Sequence, residues 1–371
     1  MKILELCLSD GKGGLELYVY RTSKALRSKG IDCLTVVGDS TFLQKKLSDD
    51  GLPSICLDQI THHIPIVSAI KLANLVNENQ IDVIHVHWGK DLLLASLAKR
   101  FSKRSVKLVF TRQMMITRPK KDFYHRFLYA KVDLYIAITE ELRRLAQLYL
   151  PMPNKNIIRL YYGVEQPDKM TPQQRKKLRA SWFDLDTKSV FVIGIVGRIE
   201  EQKGQSLLIQ AVQDLIDGHA SVALLIIGPP MQQFYLDSLQ KRVQECGLGD
   251  VIKFLGSHSN PMQIMAAMDC LVLATRMETF GLVLAEAMRA NVAVIGSNAG
   301  GVPEIIDHAD TGLLFESNNV SDLTKQLRRL ADDKLFREKI AIAGKIKADR
   351  EFCHERHYEK LSHIFLELLE Q

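Results

Sequence analysis

Long apolar runs are missing from this sequence of 371 residues. Residues 222–227, one of the longer runs, fall far short of the roughly 20 apolar residues that a membrane-spanning helix needs. The first residues do not resemble a signal peptide, because Glu5 interrupts the apolar run and no cleavage site follows. We therefore expect a cytoplasmic protein, either free or peripheral on the cytoplasmic face of a membrane.

Closely spaced cysteines are missing as well, since none of the six forms a Cys-x-x-Cys pair. Neither a disulfide framework nor a zinc knuckle is therefore indicated, and a reducing compartment fits best. The Gly-x-Ser-x-Gly elbow of one class of serine hydrolases is also absent.

Charge is unevenly placed along the chain. Residues 1–165 contain 25 Lys and Arg against 16 Asp and Glu, and residues 103–131 contain nine against Asp122 alone. This excess indicates an anionic partner (a membrane surface, a nucleic acid or a phosphorylated substrate), or else a solvated basic face. No helix-turn-helix, zinc or RNA-binding signature accompanies it, so we expect no nucleic-acid partner.

Short apolar runs alternate with helix-length segments in both halves, which predicts βαβ units and hence an α/β fold with parallel sheets. Gly, Pro and charged residues over 163–168 and 171–179 predict a linker between the halves. Two such sheets facing each other would form a cleft lined by the carboxyl ends of their strands, where α/β proteins bind ligands. The predicted strands are 3–8, 33–37, 83–86, 106–110, 134–137, 190–196, 223–227, 251–254, 270–273, 292–295 and 313–315.

A glycine-rich turn, Gly11 to Gly14, follows the first predicted strand and precedes a helix. Glycines allow a ligand to approach the backbone, and a helix amino terminus attracts phosphate or carboxylate. The turn is not a dinucleotide fingerprint, because Glu16 stands at the third glycine position. A plain tight turn is the alternative.

Two cations stand on the loop after the first strand of the second half. Arg198 and Lys203 lie five residues apart between Gly197 and Gly204. They can converge on a diphosphate, Arg as a planar fork and Lys as a point charge. The alternative is a surface ion pair with a neighbouring glutamate, Glu200 or Glu201.

Two carboxylates bracket a predicted helix start farther along. Glu278 precedes the amides of Phe280, Gly281 and Leu282, and Glu286 follows about two turns into the helix. This order matches a ligand with sugar hydroxyls, a diphosphate and a ribose diol. The alternative is a capping carboxylate followed by a glutamate on the helix surface.

A strand end carries two histidines, and strand alternation predicts that His85 and His87 share one face. The later position of His87 aims it at the cleft. A metal pair is the alternative, but no third ligand stands at a suggestive spacing. Asp91 then fits a helix cap, and Asp184 with Asp186 fits a turn before a strand rather than a metal site.

The segment 120–131 alternates basic with aromatic residues over a helix-length stretch, and Met114 lies just before it. Such a segment suits docking on an anionic bilayer, whereas the alternative is an ordinary helix with its aromatics in the core. The residues predicted for a membrane or acceptor surface are Lys120, Lys121, Phe123, Arg126, Phe127 and Lys131.

Taken together, these motifs resemble the retaining glycosyltransferases of family 4, which have the GT-B fold of two Rossmann-like domains facing across a cleft. Similar landmarks recur in order along essentially the whole chain, at 13–14, 81–87, 136–140, 196–199, 203–204, 278–281, 286–288 and 300–304. The resemblance implies an acceptor-binding domain over 1–165, rejoined by a C-terminal helix within 352–371, and a donor-binding domain over 166–351.

The resemblance also implies transfer of a hexose-type sugar from a UDP-, GDP- or ADP-linked donor to a hydroxyl of a glycan or glycolipid. The anomeric configuration would be kept, with no metal or other cofactor, in polysaccharide or lipopolysaccharide biosynthesis. A nucleotide-sugar epimerase or an inactive sugar-nucleotide-binding protein is the alternative. By resemblance the catalytic residues are His87, Arg198, Lys203 and Glu278, and the donor-binding residues are Gly13, Gly14, Gly197, Thr279, Phe280, Gly281, Leu282 and Glu286.

Overall fold

The computed structural model describes residues 1–57, 65–183, 190–258 and 260–371. The chain divides into two compact units, Met1–Tyr161 with Glu355–Gln371, and Tyr162–His354. Each unit is built on a parallel sheet with helices, which confirms the predicted α/β class. Asp184 and Asp186 lie outside the described residues. Within the described ranges, no helix combines the length and the apolar character that crossing a bilayer requires.

The sheet of the first unit has the strand order β3-β2-β1-β4-β5-β6-β7, with every neighbouring pair parallel. Its central strands are almost continuously apolar because helices cover both faces. The strands are β1 (Lys2–Cys7), β2 (Asp32–Gly38), β3 (Ser54–Leu57), β4 (Val83–Val86), β5 (Lys107–Arg112), β6 (Leu134–Ala137) and β7 (Ile157–Arg159). The helices are α1 (Gly14–Ser28), α2 (Phe42–Asp49), α3 (Ile66–Glu78), α4 (Leu92–Phe101), α5 (Phe123–Tyr129) and α6 (Glu140–Tyr149).

The C-terminal helix, α15 (His354–Glu370), belongs to this first unit. Its inner face, with Tyr358, Leu361 and Phe365, shares one buried cluster with Ile3 of β1 and Val109 of β5. The spacing of three and four residues along α15 places these side chains on one stripe. The predicted return of the last helix to the first sheet is therefore confirmed.

The sheet of the second unit has the order β10-β9-β8-β11-β12-β13 and is likewise parallel. Its strands are β8 (Phe191–Val196), β9 (Val222–Ile227), β10 (Ile252–Gly256), β11 (Cys270–Leu273), β12 (Ala293–Ser297) and β13 (Leu313–Phe315). The helices are α7 (Pro172–Trp182), α8 (Gln205–Asp217), α9 (Gln233–Glu245), α10 (Pro261–Met265), α11 (Leu282–Arg289), α12 (Val302–Ile305), α13 (Val320–Asp332) and α14 (Lys334–Glu351).

Helix α7 corrects the predicted linker over residues 171–179, most of which lie in this helix. Thr171 caps this helix by accepting the Gln174 N–H at 3.2 Å, and the Gln174 side chain accepts the Thr171 N–H at 2.8 Å. Pro172 occupies the first turn, where its missing N–H costs nothing. Arg175 then donates to Asp269 at 2.9 Å and ties the helix to the second unit.

Candidate functional site

The loops after β8 and β11 meet at the carboxyl edge of the second sheet, because these two strands are neighbours. Gly204 adopts a left-handed φ of 74°, and a Cβ there would lie 2.4 Å from the carbonyl oxygen of Ala274. Only glycine allows this approach. The Arg276 N–H donates to the Gln202 carbonyl at 3.4 Å across the same contact.

This contact unites two of the predicted catalytic residues. The Lys203 ammonium donates to the Glu278 carboxylate at 2.9 Å, and both side chains are about one quarter exposed. The residues are 75 positions apart in the chain. Because both side chains stay partly exposed, each charged group can still contact a ligand. A polar, charged substrate requires such charged contacts.

Arg198 lies on the loop after β8 but is paired differently. Its guanidinium is 3.0 Å from the Glu200 carboxylate, with half of the side chain exposed, as the ion-pair alternative predicted. Its Nη1 also lies 3.8 Å from the sulfur of Met231. The backbone at Arg198 is fixed by two hydrogen bonds. The Gly197 N–H donates to the Ile227 carbonyl at 2.9 Å, and the Gln205 side-chain amide donates to the Arg198 carbonyl at 2.9 Å.

Helix α11 begins at Leu282, two residues later than the predicted start near Phe280. Gly281 precedes it in the left-handed region, with a φ of 94°. The Phe280 side chain is buried and packs edge-on against Tyr162 and Phe352 within the second unit, so this residue is also part of the core. Thr279 stands half-buried beside it in the loop.

The alternative interpretation of the two glutamates is wrong on both counts. Glu278 does not cap α11, whose capping position is Gly281 without a side-chain bond. Glu286 is not on the helix surface, because only 6% of it is exposed. A buried glutamate in the second turn of a helix needs polar partners, so the surrounding residues constrain the position of Glu286.

The glycine turn of the first unit is filled by its own helix. The Glu16 carboxylate accepts the Gly13 N–H at 2.8 Å and the Ser9 hydroxyl at 2.5 Å. A Cβ on Gly11 would lie 2.6 Å from Glu16 Oε1, whereas one on Gly14 would meet nothing within 4 Å. The Gly13 amide is therefore already used, and Gly14 is the glycine of this turn that faces open space.

His85 and His87 do share one face of β4, as predicted, but both are buried around Glu5 of β1. His85 Nδ1 lies 3.0 Å from Glu5 Oε1, and His87 Nε2 is hydrogen-bonded to Glu5 Oε2. We call these three residues the histidine cluster. The His87 ring is turned toward Glu5 on β1, the strand next to its own. The predicted aim of His87 at the cleft stays a prediction.

The histidine cluster has the residue types of a metal site, with ligand atoms within 4.8 Å of one another. A tetrahedral zinc ion at about 2.0–2.1 Å from each ligand would hold those atoms about 3.3 Å apart. The separation of His85 Nδ1 from Glu5 Oε1, 3.0 Å, is instead that of a hydrogen bond. The geometry fits a hydrogen-bonded cluster better than metal ligation.

Asp91, predicted as a helix cap, makes no capping bond and accepts the Leu8 N–H at 2.9 Å instead. It thereby joins the start of α4 to the end of β1. Burial raises the pKa of this carboxyl to about 7, although the Leu8 hydrogen bond opposes the change.

Burial also lowers the pKa of His87 to about 4; the nearby His85 adds to this effect and Glu5 opposes it. The folded protein therefore resists protonation of His87, while the unfolded chain takes up that proton near pH 6.5. Protonation of His87 alone should therefore weaken folding as the pH drops from 6.5 toward 4, by roughly 2 kcal/mol between pH 7 and 5. Asp91 acts in the opposite direction over this range, because its raised pKa lets the folded protein take up a proton near pH 7 that the unfolded chain does not.

Urea unfolding at pH 7 and pH 5 measures this change. Relative to the wild type, His87→Gln should gain roughly 2 kcal/mol of stability between pH 7 and pH 5, because it lacks the loss that His87 causes. Substitution of the exposed His363 by Gln should leave the pH dependence as in the wild type. An equal dependence in both variants would contradict the assignment to His87.

The basic-aromatic segment forms the short helix α5, and its aromatics do not all face the core. Leu128 and Tyr129 are buried, but Phe123 is 88% exposed, and Tyr124, Phe127 and Met114 are also exposed. The alternative of an ordinary core-facing helix is therefore wrong for most of these side chains. The cations Lys121 and Arg126 are exposed beside them, and Lys120 and Lys131 are half-buried.

Two protein families match this chain in succession. A model of glycosyltransferase family 4 matches residues 12–166, and a model of the group 1 glycosyl transferases matches residues 179–347. Between them they include both site loops, the histidines of β4 and the segment of α5.

Individual proteins are similar to this chain as well. An N-acetyl-alpha-D-glucosaminyl L-malate synthase of Bacillus anthracis is 25% identical over 81% of this chain and 78% of its own. A lipopolysaccharide core biosynthesis mannosyltransferase of Rhizobium meliloti, LpsB, is 25% identical over 77% of this chain and 80% of its own. The crystal structure of Anabaena HepE with UDP superposes with a TM-score of 0.85, at 22% identity, over 99% of this chain and all of HepE.

Proposed function

Since this chain belongs to the group 1 glycosyl transferases of the family-4 type, we propose that it is a retaining, metal-independent glycosyltransferase of cell-surface glycan synthesis. It would move a hexose-type sugar from a nucleotide-diphosphate donor to a hydroxyl of a glycan or glycolipid. The relatives support this choice, because one is a lipopolysaccharide mannosyltransferase and HepE was solved with UDP and with UDP-glucose.

The observation that carries the proposal is the ion pair between Lys203 and Glu278, with Arg198 on the same loop as Lys203. Glycosyl transfer breaks the bond between the anomeric carbon and the phosphate oxygen, and that oxygen keeps the electron pair. Cations fixed beside the departing diphosphate stabilise this charge more in the transition state than in the ground state. In this proposal Glu278 accepts hydrogen bonds from the sugar hydroxyls next to these cations.

Retention follows in this proposal from attack on the face that the diphosphate leaves. The acceptor oxygen forms its bond to the anomeric carbon, and its proton passes to the departing phosphate oxygen. No carboxylate nucleophile is required, and Arg198 and Lys203 take the place that a divalent ion holds in other transferases. Gly197, Thr279, Gly281 and Leu282 of the second unit would line the donor, and Glu286 would bind its ribose.

A panel of UDP-, GDP- and ADP-sugars tests the function, first by thermal shift and then by transfer to glycan and glycolipid acceptors. We expect one nucleotide class to raise the melting temperature equally with magnesium and with EDTA. The product anomer, read by NMR, should match that of the donor. Epimerisation without transfer, or binding without turnover, would overturn the proposal in favour of an epimerase or an inactive binding protein.

An anionic membrane is the proposed location of the acceptor, and the exposed side chains of α5 support it. Phe123 and Phe127 would enter the interface while Lys121 and Arg126 contact anionic headgroups. Each phenylalanine that enters the membrane contributes roughly 1.5–3 kcal/mol to the binding free energy when its side chain leaves water completely, and less when it is only partly inserted.

We expect the double variant Phe123→Ser with Phe127→Ser to lower binding to anionic vesicles at least about tenfold, since 1.4 kcal/mol corresponds to a factor of ten. Co-sedimentation with phosphatidylcholine vesicles, with and without phosphatidylglycerol, measures it. Phe234→Ser is the matched control, because Phe234 is an exposed aromatic on α9 of the second unit. Equal binding by all three proteins, or equal binding to both vesicle types, would refute the membrane proposal.

A further inference from the structure

Three cations gather at the carboxyl end of β5 in the first unit. Arg112 is the last residue of this strand, and Arg118 and Lys120 follow it on the segment that leads to α5. The Lys120 N–H donates to the Tyr149 carbonyl at 2.9 Å, which ties this segment to the end of α6. Burial lowers the pKa of the half-buried Lys120 ammonium, and the positive charges of Arg112 and Arg118 lower it further. We call Arg112, Arg118 and Lys120 the cation cluster.

The guanidinium of Arg112 is held in one orientation by the backbone. Its Nε donates to the Met114 carbonyl at 2.8 Å, and its Nη2 donates to the Met115 carbonyl at 3.1 Å. Its Nη1 lies so close to the loop after β4 that a Cβ on Gly89 would be 3.2 Å from it. Nη1 has no acceptor among the described residues, and the bond to Met114 is exposed to solvent. A fixed donor fork that solvent can reach is therefore available to a ligand.

No carboxylate of the described residues forms an ion pair with the cation cluster. The nearest acid along the chain is Asp122, and it is the weakest of the influences on the pKa of Lys120. Its carboxylate accepts the His125 N–H at 3.1 Å and lies 2.5 Å from His125 Nδ1, so it is used at the start of α5. The two acids that begin α6 pair with arginines of the same helix. Like charges placed together without a counter-charge cost free energy, and a bound anion offsets that cost.

The composition of the cation cluster favours phosphate as that anion. A guanidinium can hold two oxygens of one phosphate, and an ammonium holds a further oxygen as a point charge. A phosphate monoester carries about 1.5 to 2 negative charges at pH 7, so it balances more of the three positive charges than a single carboxylate does. Arg198 and Lys203, which the proposed function assigns to the donor diphosphate, belong to the second unit and not to this cluster.

We propose that the cation cluster binds a phosphate ester of the acceptor, so that this protein selects phosphorylated glycans or glycolipids. The assignment of the ester to an acceptor rests on the proposed function, whereas the phosphate site itself does not. Arg112 and Lys120 are then residues that determine acceptor specificity, and neither takes part in breaking the glycosyl bond.

Methyl NMR of protein labelled with ¹³C-methyl methionine tests the site. Inorganic phosphate and glucose 6-phosphate are the probes, added at constant ionic strength. Met114 and Met115 report on Arg112, which their carbonyls hold, and Met231 reports separately on Arg198 of the second unit. We expect both probes to shift the Met114 and Met115 signals saturably, and sodium acetate to need at least about tenfold higher concentrations. Leucine substitution of each methionine assigns the signals.

Single substitutions test the cation cluster. Arg112→Gln and Lys120→Gln should each weaken binding of glucose 6-phosphate about tenfold or more, because each loses a hydrogen bond to a charged group. Without phosphate, Lys120→Gln should melt at or above the wild-type temperature, since it removes a cation held among like charges. The matched control is Lys103→Gln, because Lys103 is an exposed cation of the same basic stretch that precedes β5. It should bind both probes as the wild type does.

Three results would overturn the phosphate site. They are unchanged Met114 and Met115 signals with both probes, equal effects of acetate and phosphate, and equal binding by Lys120→Gln, Lys103→Gln and the wild type. If Arg112→Gln does not fold because two carbonyls lose their donor, Lys120→Gln and Arg118→Gln still decide.

Inhibition of transfer tests the assignment to the acceptor. With the donor that the panel identifies, glucose 6-phosphate should inhibit in competition with the acceptor and not with the donor. Competition with the donor alone would overturn the assignment. If the wild type transfers no sugar from any donor, the proposed function fails, while the NMR titration continues to test the phosphate site.

Vesicle binding identifies the carrier of the ester. Co-sedimentation uses phosphatidylcholine vesicles that contain phosphatidic acid, with and without glucose 6-phosphate. Release of the protein by the sugar phosphate supports the site with a lipid as the carrier. Binding that the sugar phosphate does not change, in a protein whose Met115 signal shifts with it, supports the site with a soluble glycan as the carrier.

Discussion

Substitution of Lys203 by Ala should lower kcat about 100-fold or more, the usual loss when one fixed donor to a developing charge is removed. Its ammonium is the cation that the contact between the loops after β8 and β11 holds beside Glu278. Removal takes positive charge from the departing diphosphate and leaves Glu278 uncompensated next to it. Steady-state kinetics with the sugar nucleotide that the panel identifies measure the effect. We expect Arg198→Ala to cost about as much.

The matched control is Arg276→Ala. Arg276 is a cation on the loop after β11, and its side chain is 63% exposed, 3.8 Å from Glu201. Because exposed pairs of this kind contribute little, its loss should change kcat less than threefold. Equal effects of Lys203→Ala and Arg276→Ala would mean that general surface charge, rather than a placed cation, drives the reaction.

A double variant separates the two reasons for the loss. If Lys203→Ala fails mainly because Glu278 is stranded, then adding Glu278→Gln should restore activity. If the missing charge on the diphosphate dominates, the second change should give no rescue and should lower activity further, because the sugar loses an acceptor. We expect the second result, and the coupling energy from the four proteins quantifies it.

Much of the fold is predictable from the sequence because burial leaves a local signal. The central strands of both sheets are apolar runs such as residues 190–196 and 270–273, and each appears within a residue or two of its predicted place. The strands that were not predicted, β3 and β7, are the two edges of the first sheet. An edge strand is short and partly exposed, so its sequence carries less apolar signal.

The helix over 172–182 shows a different reason for error. Thr171, Pro172 and Gln174 form a helix-start signal, but a long polar stretch follows and resembles a linker. The buried residue of this helix is Arg179, whose guanidinium lies 2.9 Å from the carboxylate of Asp269, far along the chain. Apolar periodicity cannot reveal a helix that is anchored by a charged side chain.

The candidate site was predictable in its parts but not in its pairings. His85, His87, Lys203 and Glu278 each stood out by position at a strand end or loop. Their partners did not, because Glu5 is 80 residues from His85 and Lys203 is 75 residues from Glu278. Strand order in a parallel sheet brings such residues together, and the residue spacing within one motif does not encode strand order.

A glycine of the second unit packs against the backbone of Glu278. Gly300 has a φ of 59°, and a Cβ there would lie 2.1 Å from the carbonyl oxygen of Glu278. The next residue, Gly301, donates its N–H to the same oxygen at 2.9 Å. Gly300→Ala must therefore push away the backbone of Glu278, in addition to the roughly 1–2 kcal/mol that a left-handed alanine costs.

We expect Gly300→Ala to lower the free energy of unfolding by about 2–4 kcal/mol and kcat by tenfold or more, because overpacking against backbone adds to the conformational cost and displaces Glu278 from Lys203. Urea unfolding and donor kinetics measure the two effects. The matched control is Gly247→Ala, since Gly247 has a φ of 66° but a Cβ there would meet nothing within 4 Å. It should pay only the conformational cost and keep its kcat. If the two alanine variants lose equal stability and both keep full activity, the loop of Glu278 does not depend on the close approach of Gly300.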